Sequence, residues 1–394
     1  MSAKEKTLLV TLDFPPLFGG VANYYFERVK ILSKEEIFVL MNQITDYKLQ
    51  ITNYDFKIYY KSFFTKLLWP HWLPLIWHIY RIVKKEKINK IWVGQVLPVG
   101  TAVWGISRLL SFQRSASWRM KSSNFFSRRD PSTSASHCSA SVQDDKIRPL
   151  AYFVTCHGND LLRAKNQPRK FKIAKLIFRD AEFVEANTEF TKNILINDFQ
   201  IPAEKIKIVY PVNTLKKEMV DEKKVSELRE KYNLIGKKVL LTVGRLVKSK
   251  GIDQVICALP KVLEKIPDLV YLIVGDGPDK ERLTQIVGEF AGTGYDLSLP
   301  TQNNKIIFIG SVLNEELPNY YALANAFILT PRKNYFGDTE SFGIVYLEAK
   351  EFDLPIVAGN VGGAKEIAKA YNQMHLIDSE NIEEVVEKII AIIK

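Results

Sequence analysis

The sequence predicts an α/β protein built as two Rossmann-like domains, each a doubly wound parallel sheet, facing a central cleft. Short apolar runs of strand length alternate with runs that read as helices, and the pattern restarts near residue 238. Glycines stand where several strands hand over to helices, as at Gly19-Gly20, Gly244 and Gly275. The chain has 394 residues, too many for one ordinary core and comfortable for two domains.

The net charge of +11 implies a basic surface. Such a surface suits nucleic acid, an anionic membrane or phosphorylated substrates. No zinc spacing and no aromatic-plus-glycine RNA signature is present, so nucleic acid is not expected as a partner. Cys138, Cys156 and Cys257 are scattered, which argues against a disulfide framework and for a reducing, cytoplasmic compartment. The apolar run Thr7–Leu12 is too short for a signal peptide and fits a first buried strand.

After that strand come Phe14-Pro15-Pro16, the Gly19-Gly20 pair and a helix expected over Asn23–Leu32. Glycines at such a junction let backbone N–H groups approach a ligand, although a tight turn alone would also explain them. Residues 36–60 read as strands with a loop. Residues 63–87 gather Trp69, Trp72 and Trp77 with phenylalanines, leucines, Lys84, Lys85 and Lys87. Prolines, histidines and an arginine interrupt the ~20 apolar residues a spanning helix needs. Aromatics beside basic residues instead suit contact with an anionic membrane surface; the other reading packs them in the core.

Lys90–Gly94 reads as a strand and Gly100–Leu110 as a helix. Residues 112–147 are rich in serine and arginine with few aliphatics, and are expected to be a disordered insertion. A strand over Leu150–Thr155 ends at Cys156-His157-Gly158. His157 thus stands where open α/β sheets hold ligands, the plainer reading being a loop histidine with no task. Phe183–Thr188 is a further strand, with Thr188 as N-cap of the next helix. Ile206–Asn213 reads as the last strand of this half, so residues 1–213 and 214–394 are expected to be the two domains.

Leu215–Tyr232 reads as a helical connection. There follow strand Lys238–Val243, loop Gly244–Gly251 with Arg245 and Lys250 in it, helix Ile252–Ile266 and strand Leu269–Val274. Next come the turn Gly275-Asp276-Gly277-Pro278, helix Asp279–Glu289, strand Ile306–Gly310 and helix Asn314–Leu323. The buried strand Ala326–Leu329 then leads through a loop to Glu340-Ser341-Phe342-Gly343 and the start of a helix. A strand–loop–helix junction offers free N–H groups and a positive dipole end to an anion. Glu340 falls in the loop and Glu348 about one turn into the helix. Carboxylates accept from hydroxyls, so the pair suits a ligand made of sugar and phosphate. By the plainer reading Glu340 is a helix-terminal charge and Glu348 a solvated one.

Together these motifs resemble the retaining GT-B glycosyltransferases of family 4 over nearly the whole chain apart from the serine-rich stretch. Leu241-Thr242-Val243-Gly244-Arg245-Leu246 with Lys250-Gly251 is similar to the family's Gly-Arg-Leu…Lys-Gly loop. Val274-Gly275-Asp276-Gly277-Pro278 resembles its Val-Gly-Asp/Glu-Gly-Pro, and Glu340 with Glu348 its Glu-x7-Glu motif. Phe14-Pro15-Pro16 with Gly19-Gly20, and His157-Gly158, resemble its first-domain elements. The run Phe342–Ala349, with Pro355–Gly359 and Gly362-Gly363-Ala364, looks most like the GDP-mannose-dependent phosphatidylinositol mannosyltransferase branch. The family continues past the position of Lys394 with a helix crossing back onto the first domain, so the final crossover helix is expected to be lacking.

The resemblance implies a hexosyltransferase that moves a sugar, best taken as mannose, from a nucleotide-diphosphate sugar to a lipid-linked or glycan acceptor in cell-envelope or polysaccharide synthesis. GDP-mannose is the favoured donor and a UDP-sugar the alternative; no cofactor and no metal is expected. The first domain would then face the acceptor and the second bind the donor. Arg245 and Lys250 would stabilise the departing diphosphate, with backbone N–H groups of Gly19, Gly20, Gly244, Phe342, Gly343 and Ile344 around it. Glu348 would take the ribose hydroxyls, Glu340 the donor sugar, and His157 would lie near the reaction centre. Other classes on the same plan are a nucleotide-sugar epimerase, another GT-B enzyme such as a phosphorylase, or an inactive homologue serving as a scaffold. The expected location is cytoplasmic and peripheral to the inner face of the membrane through residues 63–87.

Overall fold

The computed structural model describes residues 5–15, 19–32, 36–43, 56–67, 69–110, 150–289, 305–332 and 340–393. The stretch 112–147, expected to be a disordered insertion, and the loop 333–339 ahead of Glu340 lie outside the described residues.

Seven strands form the first sheet: β1 (Thr7–Thr11), β2 (Ile37–Asn42), β3 (Lys57–Lys61), β4 (Lys90–Val93), β5 (Ala151–Cys156), β6 (Val184–Ala186) and β7 (Ile206–Ile208). Their order is β3-β2-β1-β4-β5-β6-β7, and β1 pairs in parallel with β2 and β4. The helices are α1 (Gly20–Ile31), α2 (Leu73–Glu86), α3 (99–110), α4 (Asn159–Lys165), α5 (Pro168–Asp180) and α6 (Glu189–Asn197). Leu8, Leu9 and Val10 are fully buried because a parallel sheet is covered on both faces. Leu9, Val39, Trp92 and Phe153 pack on one face with Tyr24, Tyr25 and Val29 of α1. As the sequence predicts, Thr188 caps α6, its side chain accepting from the N–H of Thr191.

The strand expected over Ile206–Asn213 is shorter. β7 ends at Ile208, and Val209 adds one further bond to the Ala186 carbonyl at 2.9 Å. Pro211 has no N–H to continue a ladder, and Tyr210 and Val212 are exposed.

The second sheet holds β8 (Lys238–Val243), β9 (Leu269–Val274), β10 (Ile306–Gly310), β11 (Ala326–Leu329), β12 (Ile356–Gly359) and β13 (Met374–Ile377). The order is β10-β9-β8-β11-β12-β13, with every neighbouring pair parallel. Its helices are α7 (Glu222–Lys231), α8 (Ile252–Leu263), α9 (Lys280–Glu289), α10 (Leu317–Leu323), α11 (Ile344–Glu351), α12 (Ala364–Lys369) and α13 (Ile382–Ile393). α10 starts three residues later than expected from Asn314, with Pro318 in its first turn, where a missing N–H does no harm.

The two-residue period of a strand divides this domain's core in two. Leu240, Tyr271 and Ile273 pack with α8 and α13 on one face. Val239, Leu241, Val270 and Leu272 pack with α7, α10 and α11 on the other. In both sheets the strand order changes direction between adjacent strands, at β1/β4 and at β8/β11. Ligands of open α/β sheets bind outside the carboxyl ends of the strands at such a switch point.

By their main-chain contacts the residues divide into two units. The first comprises Met1–Cys156, Gln167–Glu185 and Ile201–Lys207, and the second His157–Asn166, Ala186–Gln200 and Ile208–Lys394.

In the first unit, residues 63–87 divide between the core and the surface. Phe63, Leu75, Ile79, Ile82 and Val83 are buried. Leu67, Trp69 and Trp77 are 92%, 85% and 58% exposed. Trp77 stacks on Tyr80 with ring centroids 6.2 Å apart, and Arg81 lies over Trp77 at 5.9 Å. Burial, and then the Lys61 and Arg81 cations, hold His78 below its ordinary value. No described helix is long and apolar enough to cross a membrane.

Candidate active site

The switch point of the second sheet brings together the loops that follow β8 and β11. After β8, Gly244 donates its N–H to the Val274 carbonyl at 3.0 Å, and Leu246 donates to that of Asp276 at 3.0 Å. The Gly244–Lys250 loop is thereby stitched to the turn after β9. Arg245 is exposed on it and has no ion-pair partner among the described residues. Lys248–Lys250 form a short 3-10 turn, which ends at Gly251 with φ of +68°. A Cβ at Gly251 would lie 1.9 Å from the Thr330 carbonyl oxygen, so only glycine allows β11 to pass this close.

After β11 the chain returns through Glu340 to α11. The Lys250 ammonium is ion-paired with the Glu340 carboxylate, their side chains 23% and 15% exposed. Glu340 thus sits in the loop, as expected, and against Lys250, a pairing the sequence reading did not foresee. Gly343 caps α11 with φ of +82°, where a Cβ would meet the Tyr346 ring at 2.4 Å. The Tyr346 hydroxyl donates to the Leu329 carbonyl at 3.0 Å and pins the helix to the end of β11. No side chain caps α11. Among the described residues, no hydrogen bond leaves the N–H groups of Phe342, Gly343 or Ile344. Ser341 is 7% exposed, and its Oγ is buried with no hydrogen-bond partner among the described residues. The Lys250 ammonium, from the loop after β8, is ion-paired to the segment that carries the uncapped helix start and the Ser341 hydroxyl, a set that suits an anion with several oxygens.

Glu348 is not a solvated charge. It lies on the inner side of α11, 5% exposed, and its Oε2 accepts from the Tyr321 hydroxyl at 2.7 Å. Burial pushes its pKa up from 4.5 to about 7, against the opposing effect of the Tyr321 hydrogen bond. An acid raised in the folded state is bound by its proton more tightly there than in the unfolded chain. Its contribution is therefore fully present below pH 4.5 and is lost as pH rises towards about 7. The loss is about 3 kcal/mol at roughly 1.4 kcal/mol per pH unit. Glu348→Gln is expected to remove this slope. Denaturant unfolding of both proteins between pH 4.5 and 8 checks it, and parallel pH profiles would show that Glu348 does not titrate in this window.

The remaining sequence candidates lie elsewhere. Gly19, with φ of +150°, precedes α1, and Gly20 begins it; both are exposed, and a Cβ on Gly19 would meet nothing within 4 Å. Among the described residues no neighbour needs glycine at that point; what singles it out is its backbone angle. His157 follows β5, half-buried, and its N–H donates to Asp160 Oδ1 at 3.1 Å. A Cβ on the adjoining Gly158 would lie 2.5 Å from Ser341 Oγ, so within the second unit the His157 turn abuts the Glu340–Ser341 segment.

Residues 224–394 match the family described as Glycosyl transferases group 1. HepE of Anabaena, solved in complex with UDP and glucose, superposes with a TM-score of 0.69 at 18% identity, covering 98% of this chain and 89% of that one. The fold, two parallel-sheet α/β domains, is therefore that of the GT-B glycosyltransferases. Within it, residues 224–394 are a group 1 glycosyltransferase domain. The GDP-mannose-dependent alpha-(1-6)-phosphatidylinositol monomannoside mannosyltransferase of Mycobacterium tuberculosis is 31% identical over 165 residues, 42% of this chain. That match spans 40% of the relative's length. The GDP-mannose-dependent monoacylated alpha-(1-6)-phosphatidylinositol monomannoside mannosyltransferase of Corynebacterium glutamicum is 25% identical over 100% of this chain and 90% of its own.

Proposed function

We propose that the chain transfers a hexose, with mannose favoured, from a nucleotide-diphosphate sugar to a lipid-linked or glycan acceptor. One observation carries this reading: Lys250, the uncapped start of α11 and the unpartnered Ser341 hydroxyl gather at the carboxyl ends of β8 and β11. The mannosyltransferase relatives favour GDP-mannose as donor.

The chemistry follows from the charges. Breaking the bond from sugar to phosphate leaves negative charge on the diphosphate, and donors fixed in advance stabilise that charge without reorganising. Lys250 supplies a point charge and Arg245 a planar fork, with the N–H groups of Gly244, Phe342, Gly343 and Ile344 beside them. Glu340 holds Lys250 in place and accepts from donor-sugar hydroxyls, while Glu348, braced by Tyr321, takes those of the ribose. Transfer with retention then follows if the acceptor hydroxyl attacks from the face the diphosphate leaves, giving its proton to the departing phosphate oxygen. His157 lines this centre. The positive side chains serve in place of a metal ion. The exposed Leu67, Trp69 and Trp77, among Lys61, Lys66, Arg81, Lys84 and Lys85, would set the enzyme on the cytoplasmic face of an anionic membrane where a lipid-linked acceptor is presented.

The test is a thermal-shift screen with GDP-, UDP- and ADP-sugars, followed by transfer of labelled sugar to phosphatidylinositol mannoside and to a soluble glycan. GDP-mannose at about a hundred times its Kd is expected to stabilise the fold by about 2.7 kcal/mol. If no nucleotide sugar shifts the melting temperature and no transfer occurs, the reading fails.

A further inference from the structure

A cluster of ion pairs around the buried Asp253 and Asp279 adjoins the Lys250 turn. Asp253, the second residue of α8, is 8% exposed. Its Oδ2 accepts from Arg332 at 2.6 Å and from both terminal nitrogens of Arg282 at 3.1 and 3.2 Å. Arg282 in turn grips Asp279 through two bonds of 2.7 and 2.8 Å. Arg332 continues in the other direction: its N–H donates to the Ser249 carbonyl at 3.0 Å, and its Nε to that of Lys248 at 3.3 Å. One carboxylate thereby links the segments after three adjacent strands: Lys248–Gly251 after β8, the Asp279 turn after β9, and Thr330–Arg332 after β11.

The two guanidinium groups offset the buried carboxylates of Asp253 and Asp279, which makes burial of those two acids tolerable, and Arg332 also reaches the exposed Glu380 carboxylate at 3.7 Å. Nothing in the packing of α8 calls for an acid at position 253. Its neighbours Ile252, Val255 and Ile256 belong to the apolar core. Its effect is on the turn: Arg332, held by Asp253, grips the carbonyls of Lys248 and Ser249, the two residues before Lys250.

We propose that Asp253 is a positioning residue for Lys250, acting through Arg332. It fixes the Lys248–Lys250 turn so that the ammonium is already placed where charge develops on the departing diphosphate. The proposal rests on the sugar-transfer reading above and adds a residue that touches neither substrate nor the Glu340 carboxylate. A misplacement of about 1 Å in such a group lowers turnover about a hundredfold.

The experiment is a double-mutant cycle of Asp253→Asn and Lys250→Ala in the full chain, with hydrogen exchange on the same proteins. Asparagine keeps the shape of the side chain but removes the charge that holds two arginines. Asp253→Asn is expected to lower kcat ten- to a hundredfold with donor KM changed less than threefold. In the Lys250→Ala background it is expected to change kcat less than twofold, because its effect runs through that lysine. Exchange at the N–H groups of Lys250 and Gly251 is expected to rise at least tenfold, against little change in the β8 core. Equal losses of kcat in both backgrounds, or unchanged exchange at the turn, would show a merely structural acid and overturn the proposal. A Lys250→Ala protein with normal turnover would instead overturn the donor-site reading, while the exchange data still decide whether the clamp exists.

Discussion

Lys250→Ala is expected to lower kcat for sugar transfer about a hundred- to a thousandfold, the usual effect of removing one preorganised donor from a developing anion. The folded state should barely notice. The Lys250–Glu340 pair is partly exposed, and such pairs contribute about 1 kcal/mol or less. Loss of turnover with a nearly unchanged melting temperature is therefore the signature of a charge needed by the reaction rather than by the fold. Arg245→Ala should act in the same direction, since Arg245 is exposed on the same loop. Lys250→Arg is not expected to restore the rate, because a planar fork does not reproduce a compact ammonium held against Glu340. Steady-state kinetics with saturating donor, beside thermal unfolding of each variant, decide the matter. Turnover within threefold of the parent for both Lys250→Ala and Arg245→Ala would remove the leaving-group assignment.

The second large effect is expected on liposomes. α2 presents Trp77, Arg81, Lys84 and Lys85 to solvent, with Leu67 and Trp69 exposed just before it. Immersing a large apolar side chain contributes roughly 1.5–3 kcal/mol when complete and less when partial. Each basic residue near an anionic surface adds about 1 kcal/mol. Reversing Lys84 and Lys85 to glutamate removes two attractions and adds two repulsions, so affinity for anionic vesicles should fall about a thousandfold, strongly dependent on salt. Trp69→Ala with Trp77→Ala should weaken binding independently of salt. Flotation with vesicles of rising anionic lipid content measures both. Failure of the parent protein to float at low salt on strongly anionic vesicles would favour a soluble acceptor.

Much of the architecture was legible in the order of residues. Lys238–Val243 and Leu269–Val274 are strands over the very residues the sequence predicts, because a strand covered on both faces reads as a nearly continuous apolar run. The cap at Thr188 was legible for a different reason: its bond runs to Thr191, within one turn. Local chemistry of this kind needs no knowledge of the fold. Lys250 and Glu340 were both singled out as candidates in the sequence, one from a glycine-flanked basic loop and the other from its place ahead of a helix.

Only the tertiary structure decided the rest, because each remaining question turned on neighbours distant in sequence. Glu348 could have been solvated; Tyr321, 27 residues earlier, and the packing of α11 made it a buried acid near pH 7. The sequence carried no mark that Arg332, 79 residues from Asp253, would join it beside the Lys248–Lys250 turn. Ser341 stood in full view among the motifs, yet that its buried hydroxyl finds no partner among the described residues is something only a folded environment can show. The aromatics of residues 63–87 were balanced between core and surface on composition alone, since tryptophan suits either. The course of α2 settled it, burying Ile79 and Val83 and leaving Trp77 in water. Sequence determines which local conformations and which charges are available; the sheet order then determines which of them meet.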